Sequence, residues 1–311
     1  MTRRSGLTLV EVLTALFILA LGVISILTLF PMGALQMAQA IRDNRSTESA
    51  FNADQFMRTI WKTNVVEPPT PTEPFYYAMN DPDDGATIFT TPPTSGPSYP
   101  VAVDPMGFVA RQDTAQRWVG DTQTNVPRRT LSSVSTQQHA LKLCSLMDTM
   151  GFEEGVPNGD RELRYNWLWV LQRPNVADRN TADMTVVVFD RRAHLHATLG
   201  AEDVLTATAT PTASSVTFPA TNAQTKIIPG TWIMDGTVYN PNAPAIGRPG
   251  IRHANFYRVT AVVRNADDSL SVELQTPIKT PSDNGGAYTA TFVVWRGVSG
   301  VYVRTPLKPQ N

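Results

Sequence analysis

Glu11 is the single ionisable side chain in residues 7–30, a run of 24 residues otherwise made of Leu, Val, Ile, Ala, Phe, Thr, Ser and Gly. A carboxylate inside such a run costs about 2–4 kcal/mol near a bilayer centre and less near an interface. A charge kept there needs a partner. Two kinds fit: a cationic group held in low dielectric, or the positive end of its own helix, one turn away. Elsewhere, groups able to do chemistry are sparse. His194 and His196 lie two apart and would share one face of a strand, but His139 and His253 are distant in sequence, so no metal site is expected. Asp81-Pro-Asp-Asp-Gly85 lacks the alternating acids and distal Glu of a calcium loop and reads as a polar turn. Gly297-Val-Ser-Gly300 lacks the spacing of a nucleophile elbow and reads as a turn between strands. There is no phosphate-binding glycine loop and no cysteine pair for zinc. No catalytic residue, cofactor or metal is expected, and the chain is not expected to be an enzyme.

The start of the chain carries a more specific pattern. Arg3 and Arg4 form a short basic leader ending in Gly6, and Gly6-Leu7-Thr8-Leu9-Val10-Glu11 opens the apolar run. This pattern resembles the class III leader of type IV prepilins and type II secretion pseudopilins. The following Glu11-Val12-Leu13, Ala15-Leu16 and Ile18-Leu19 are similar to minor pilins and minor pseudopilins, the PilV-like group included. The resemblance covers roughly residues 1–62. It implies cleavage after Gly6 by a prepilin peptidase, methylation of the new amino terminus at Leu7, retention of the apolar run, and assembly with other pilin or pseudopilin subunits through an assembly platform in the inner membrane. Leu7 departs from the Phe usual at that position. In this reading the Leu7 amine, protonated near neutral pH, pairs with Glu11 of a neighbouring subunit. The large outer domain suits a tip subunit better than a repeating shaft subunit.

Two other readings of the same run are open. Ala38-Gln39-Ala40 has the form of a signal-peptidase site, although the apolar run is longer than a secretory signal needs. Alternatively, the helix is an uncleaved tether for an extracytoplasmic binding module or enzyme. In each case Arg3 and Arg4 place the amino terminus in the cytoplasm and the rest beyond a single crossing of the inner (cytoplasmic) membrane.

The elements that hold these groups follow from periodicity. Residues 1–6 are the leader and 7–30 a transmembrane helix, in contact with lipid. Pro31 should end or kink that helix. Residues 31–64 resume helical spacing, with Phe56/Ile60 and Met57/Trp61 at i,i+4. A helix over 7–64 would be about 85 Å long. Residues 42–49 are polar all round and are expected to lie free of membrane and core. Residues 65–105 hold ten prolines and read as a connector on the surface rather than strands. Residues 106–311 read as a β-rich extracytoplasmic domain. A helix is expected over 137–150, and strands over 165–172, 184–190, 231–234, 256–265, 269–276, 289–296 and 298–304. Residues 265–269 form a hairpin loop, Gly297 a bulge or bend, and 206–223 an exposed low-complexity loop. Trp167 and Trp169 should face a core together. The fold class is thus α+β: a long amino-terminal helix and a mainly antiparallel β domain.

Composition excludes little else. Without its leader the chain has 24 basic and 27 acidic residues, net −3, which gives no general reason to bind nucleic acid. Arg128 with Arg129, and Arg191 with Arg192, read as solvated turns or strand ends. Cys144 is the only cysteine, so no intrachain disulfide can form and the outer domain must hold by packing.

Overall fold

A computed structural model of the chain describes residues 9–80, 95–107, 126–134, 136–146, 150–153, 156–161, 164–192, 202–220, 227–237, 253–279 and 286–309. It divides into two compact units, Met1–Arg45 and Ser46–Asn311. Helix α1 (Leu9–Trp61) begins in the first and ends in the second. It runs through Pro31 without ending, so of the two expected outcomes there, an end or a kink, the end does not occur. Proline there removes one amide donor, leaving Leu27 O without its usual partner, at about 3 kcal/mol. Good helix formers on both sides keep the remaining bonds, and in apolar surroundings unmaking those would cost more.

In the second unit, residues 46–61 of α1 lie on a five-stranded sheet. Ala50, Ala53, Met57 and Trp61 form its buried stripe, spaced as one helix face. Small residues bring the backbone close enough for Trp169 Nε1 to donate to Ala53 O at 2.9 Å. Phe56 packs on the same indole, with ring centroids 5.9 Å apart. Ser46 and Ser49 are also buried, so the stretch free of the core is shorter than the expected 42–49. Serine is small enough to enter a helix–sheet contact, and Ser46 Oγ accepts from Tyr302 Oη at 2.9 Å. The helix then loosens into a π turn, Lys62–Val66.

The sheet has the order β13-β6-β5-β1-β2, with β1 Val101–Val103, β2 Arg128–Arg129, β5 Tyr165–Gln172, β6 Ala182–Asp190 and β13 Val298–Leu307. Only β1 and β2 pair in parallel. The first core packs α1, α2 (Pro74–Ala78) and α3 (Gln137–Leu143) against Trp167 and Trp169, whose rings meet edge to face at 6.4 Å. The expected surface connector is therefore structural in two places. Phe75, Tyr76 and Met79 are core residues, and β1 is an inner strand. Proline density hid them; Pro100 stands just before the strand, where a missing donor does not interrupt the ladder.

Helix α3 starts at the Thr136 cap, whose Oγ1 accepts from His139 N. It is shorter than the expected 137–150, because Ser145 bridges to Asn166 and Met150 opens a two-stranded ribbon of β3 (Met150–Glu153) and β4 (Val156–Arg161). The remaining strands close a barrel, β10-β11-β8-β7-β12-β9. They are β7 Glu202–Ala209, β8 Ser215–Phe218, β9 Trp232–Asp235, β10 Asn255–Arg264, β11 Leu270–Leu274 and β12 Tyr288–Trp295. The supposed low-complexity loop at 206–223 thus supplies the end of β7 and all of β8. Leu205, Ala207 and Ala209 point into the barrel while Thr206 and Thr208 are exposed, a period-2 pattern that the Thr/Ala composition obscured. The expected hairpin at 265–269 is present, with Asn265 N donating to Ser269 O.

Of the two arginine pairs, Arg191 is exposed just past the end of β6, as expected of a strand end, but the other three arginines are not solvated. Arg128, Arg129 and Arg192 are buried, as is Asp104. Arg192 grips Asp104 with two hydrogen bonds, 2.8 and 2.6 Å, and Arg128 Nε lies 3.5 Å away. Burial alone would raise the Asp104 pKa, but Arg192, then Arg128 and the Gly107 amide, lower it from 3.8 to about 2. Sequence neighbours look like surface patches when the anion that buries them is distant in the chain.

Strands β12 and β13 are consecutive yet pair with different sheets, β12 in the barrel and β13 with β6. Gly297 makes this crossing at φ 77°, which gives the expected bend a role. Around it Trp295 packs against Phe256 and Phe189 in a third core between sheet and barrel.

Two predictions follow from these contacts. A Cβ on Gly297 would stand 2.9 Å from Asp190 O, an immovable backbone atom, whereas at Gly230 (φ 90°) it would meet nothing within 4 Å. Gly297→Ala should therefore cost about 1–3 kcal/mol and Gly230→Ala less, as read from urea midpoints. Asp104→Asn should cost about 3–5 kcal/mol, because it strips buried guanidinium groups of their carboxylate. Since the folded pKa of Asp104 is depressed, its contribution is complete above about pH 4 and fades as pH falls towards 2. Thermal melts across that window should show the acid slope in the natural chain and a flatter one in Asp104→Asn.

Candidate functional site: the apolar amino-terminal helix

In the first unit Glu11 lies in the first described turn of α1. Gly6 and Leu7 lie outside the described residues. Two hydroxyls in the run turn back onto their own helix: Thr14 Oγ1 donates to Val10 O at 2.7 Å and Ser25 Oγ to Leu21 O at 2.9 Å. Their donors are satisfied internally, as an apolar medium requires.

The apolar side chains are not satisfied in that way. Four consecutive residues, Leu16, Phe17, Ile18 and Leu19, are 56–64% exposed, and at 100° per residue four in a row cover the whole circumference. Further along, Phe30 is 77%, Leu35 73%, Met37 67% and Ile41 50% exposed. Phe30, Ala34, Met37 and Ile41 recur at helical spacing and make one stripe, which ends at Arg42. By length and composition α1 can cross a membrane, and it is the one such helix among the described residues. Pro31 sits within this run, between the all-round apolar part and the stripe.

Among the described residues, the densest polar cluster away from the helix surrounds Asp235. Asp235 is fully buried at the end of β9. Its Oδ1 accepts from Thr237 N and Oγ1, and its Oδ2 from Tyr288 Oη at 2.6 Å and pairs with His253 Nε2 at 2.9 Å. Burial would raise its pKa, but His253 and these donors lower it, while burial and the adjacent Asp235 raise that of Tyr288. Thr237 Oγ1 also accepts from Thr291 N. Both carboxylate oxygens are occupied, so the arrangement ties β9, β12 and the start of β10 together and offers no open acceptor. Nothing in the spacing of residues 235, 253 and 288 announces it. His194, His196 and residues 81–85 lie outside the described residues. Among the described ones, no three His, Cys, Asp or Glu gather as a metal site would need. Ser299 Oγ makes no hydrogen bond, so no base stands beside it.

Comparisons with family models, with curated proteins and with solved structures found no match for this chain.

Proposed function

We propose that the chain is a prepilin-type structural subunit, a minor pilin or minor pseudopilin of a type IV pilus or type II secretion machine, in which α1 first anchors the protein in the inner membrane and then packs against other subunits. One observation carries this reading. Residues 9–41 contain one ionisable side chain, and every apolar side chain described among them is exposed. At 1.5 Å per residue these 33 residues span about 50 Å, against a hydrocarbon core of about 30 Å. Even a steep tilt of about 40° uses only some 40 Å of that length. Lipid alone leaves roughly two turns of apolar helix in water. A tether has no use for the excess; a subunit that buries its helix among others needs it.

The leader pattern supports the same reading. Cleavage after Gly6 leaves a methylated, cationic Leu7 amine, and Glu11 of a neighbour is placed one turn into its own helix to receive it. The pair sets the axial register between adjacent helices, since a displaced carboxylate would stay buried without its cation.

Three variants test the proposal. Gly6→Val should leave the leader attached, whereas the natural chain isolated from membranes should begin at methylated Leu7 by mass analysis. Glu11→Leu should insert and be cleaved nearly normally yet fail to enter filaments, because an unpaired neighbouring amine costs on the order of 3–5 kcal/mol. Met37→Glu, outside the bilayer-length part, should likewise insert and be cleaved but not assemble. Full incorporation of both into sheared filaments, or crosslinking of both to other prepilins at natural levels, would leave α1 as a plain anchor.

A further inference from the structure

Strand β13 is the outermost strand of the five-stranded sheet. It pairs with β6 on one side, and among the described residues no backbone hydrogen bond closes its other side over residues 299–304. The edge is shut only at its far end, where Arg58 donates to Thr305 O at 2.7 Å and to Pro306 O at 3.4 Å and Pro306 has no N–H to offer. The open part lies between two irregularities of register, Val298/Gly300 and Arg304/Leu307, and is held on one face by the Tyr302–Ser46 hydrogen bond. On the opposite face Val303 is 82% exposed, more than any other large apolar side chain described.

Charge defines what such an edge would accept. From Arg296 to the end of the sequence there are three cations and no acid. Arg296 is held by Asp203 at 3.2 Å and Lys308 is exposed. Arg304 is half-buried, its guanidinium 5.4 Å from the Tyr302 ring centre, with Nε and Nη2 shut from solvent and making no hydrogen bond. A second copy of β13 offers Arg304 and Lys308 no acid in either orientation, and in parallel register it would set each against its own like charge, which disfavours self-pairing.

We propose that β13 is a strand-addition edge that binds an extended acidic segment of a different polypeptide, with main-chain bonds along residues 299–304 and a carboxylate set against Arg304. This inference is independent of the filament reading of α1. The test uses the full chain in detergent micelles and two eight-residue peptides of alternating Thr and Val, one carrying two Glu and the other two Lys. The acidic peptide should slow amide hydrogen exchange over residues 299–304 and bind at least tenfold more tightly than the basic one. Arg304→Glu should reverse that preference, and Arg304→Gln should abolish it while leaving the melting temperature near that of the natural chain. Equal binding of both peptides, no protection of the edge, or protection that grows with protein concentration in the absence of peptide would overturn the proposal, the last by showing that β13 pairs with itself.

Discussion

The contact on which the second unit depends is the seating of residues 46–61 of α1 on β5. Two alanines and two serines strip the helix face of bulk, so that its backbone, not only its side chains, meets the sheet, and the Trp169 indole closes the gap with a hydrogen bond to Ala53 O. An added methyl on Ala50 or Ala53 would lift the helix off that indole and off the core beneath it. The same helix changes character along its length: up to Phe30 it is apolar on every side, from there to Ile41 it keeps one apolar stripe, and from Ser46 it has one buried face. Arg42, Asp43, Asn44 and Arg45 are the polar collar between the last two of these.

Beyond that seat, the second unit is a stack of helices, sheet and barrel in which the sheet is buried on both faces. This explains the run of buried residues in β5 and the middle of β6; a sheet with one wet face would alternate. The even residues Leu168 and Val170 meet the barrel while Trp167 and Trp169 meet the helices. With one cysteine and no disulfide, cohesion rests on these two interfaces and on buried carboxylates, among them Glu73 beneath α2, Asp104 beside the sheet and Asp235 in the barrel. Cys144 itself is buried, and burial raises its thiol pKa, so it behaves as a small apolar side chain.

Much of this was legible in the sequence wherever local pattern and final environment agree. Strand β5 occupies its expected limits, β10 and β11 flank the expected hairpin, and Met57 with Trp61 form part of the expected helix face. Misreadings came where composition spoke louder than spacing: ten prolines concealed β1 and α2, and a Thr/Ala-rich stretch concealed the alternation of β7. Others came where the deciding partner is remote. Nothing near Arg128 or Arg192 signals Asp104, and nothing near residues 42–49 shows that Tyr302, some 250 positions on, will bury Ser46. For the amino-terminal helix, the apolar length and the isolated carboxylate are entirely local, which is why that region could be read most fully.

The crossing at Gly297 has a consequence for how the chain acquires its shape. The last fourteen residues of the sequence contain β13, whose partner β6 was laid down more than a hundred positions earlier, and β12 just before it completes the barrel against β7 and β9. Until β12 and β13 are in place, β6 is an open margin of the sheet and the barrel an open strip. Such distant pairings make folding slow. The order of the strands thus couples the closing of the sheet to the closing of the barrel, because the two closing strands are joined through Gly297.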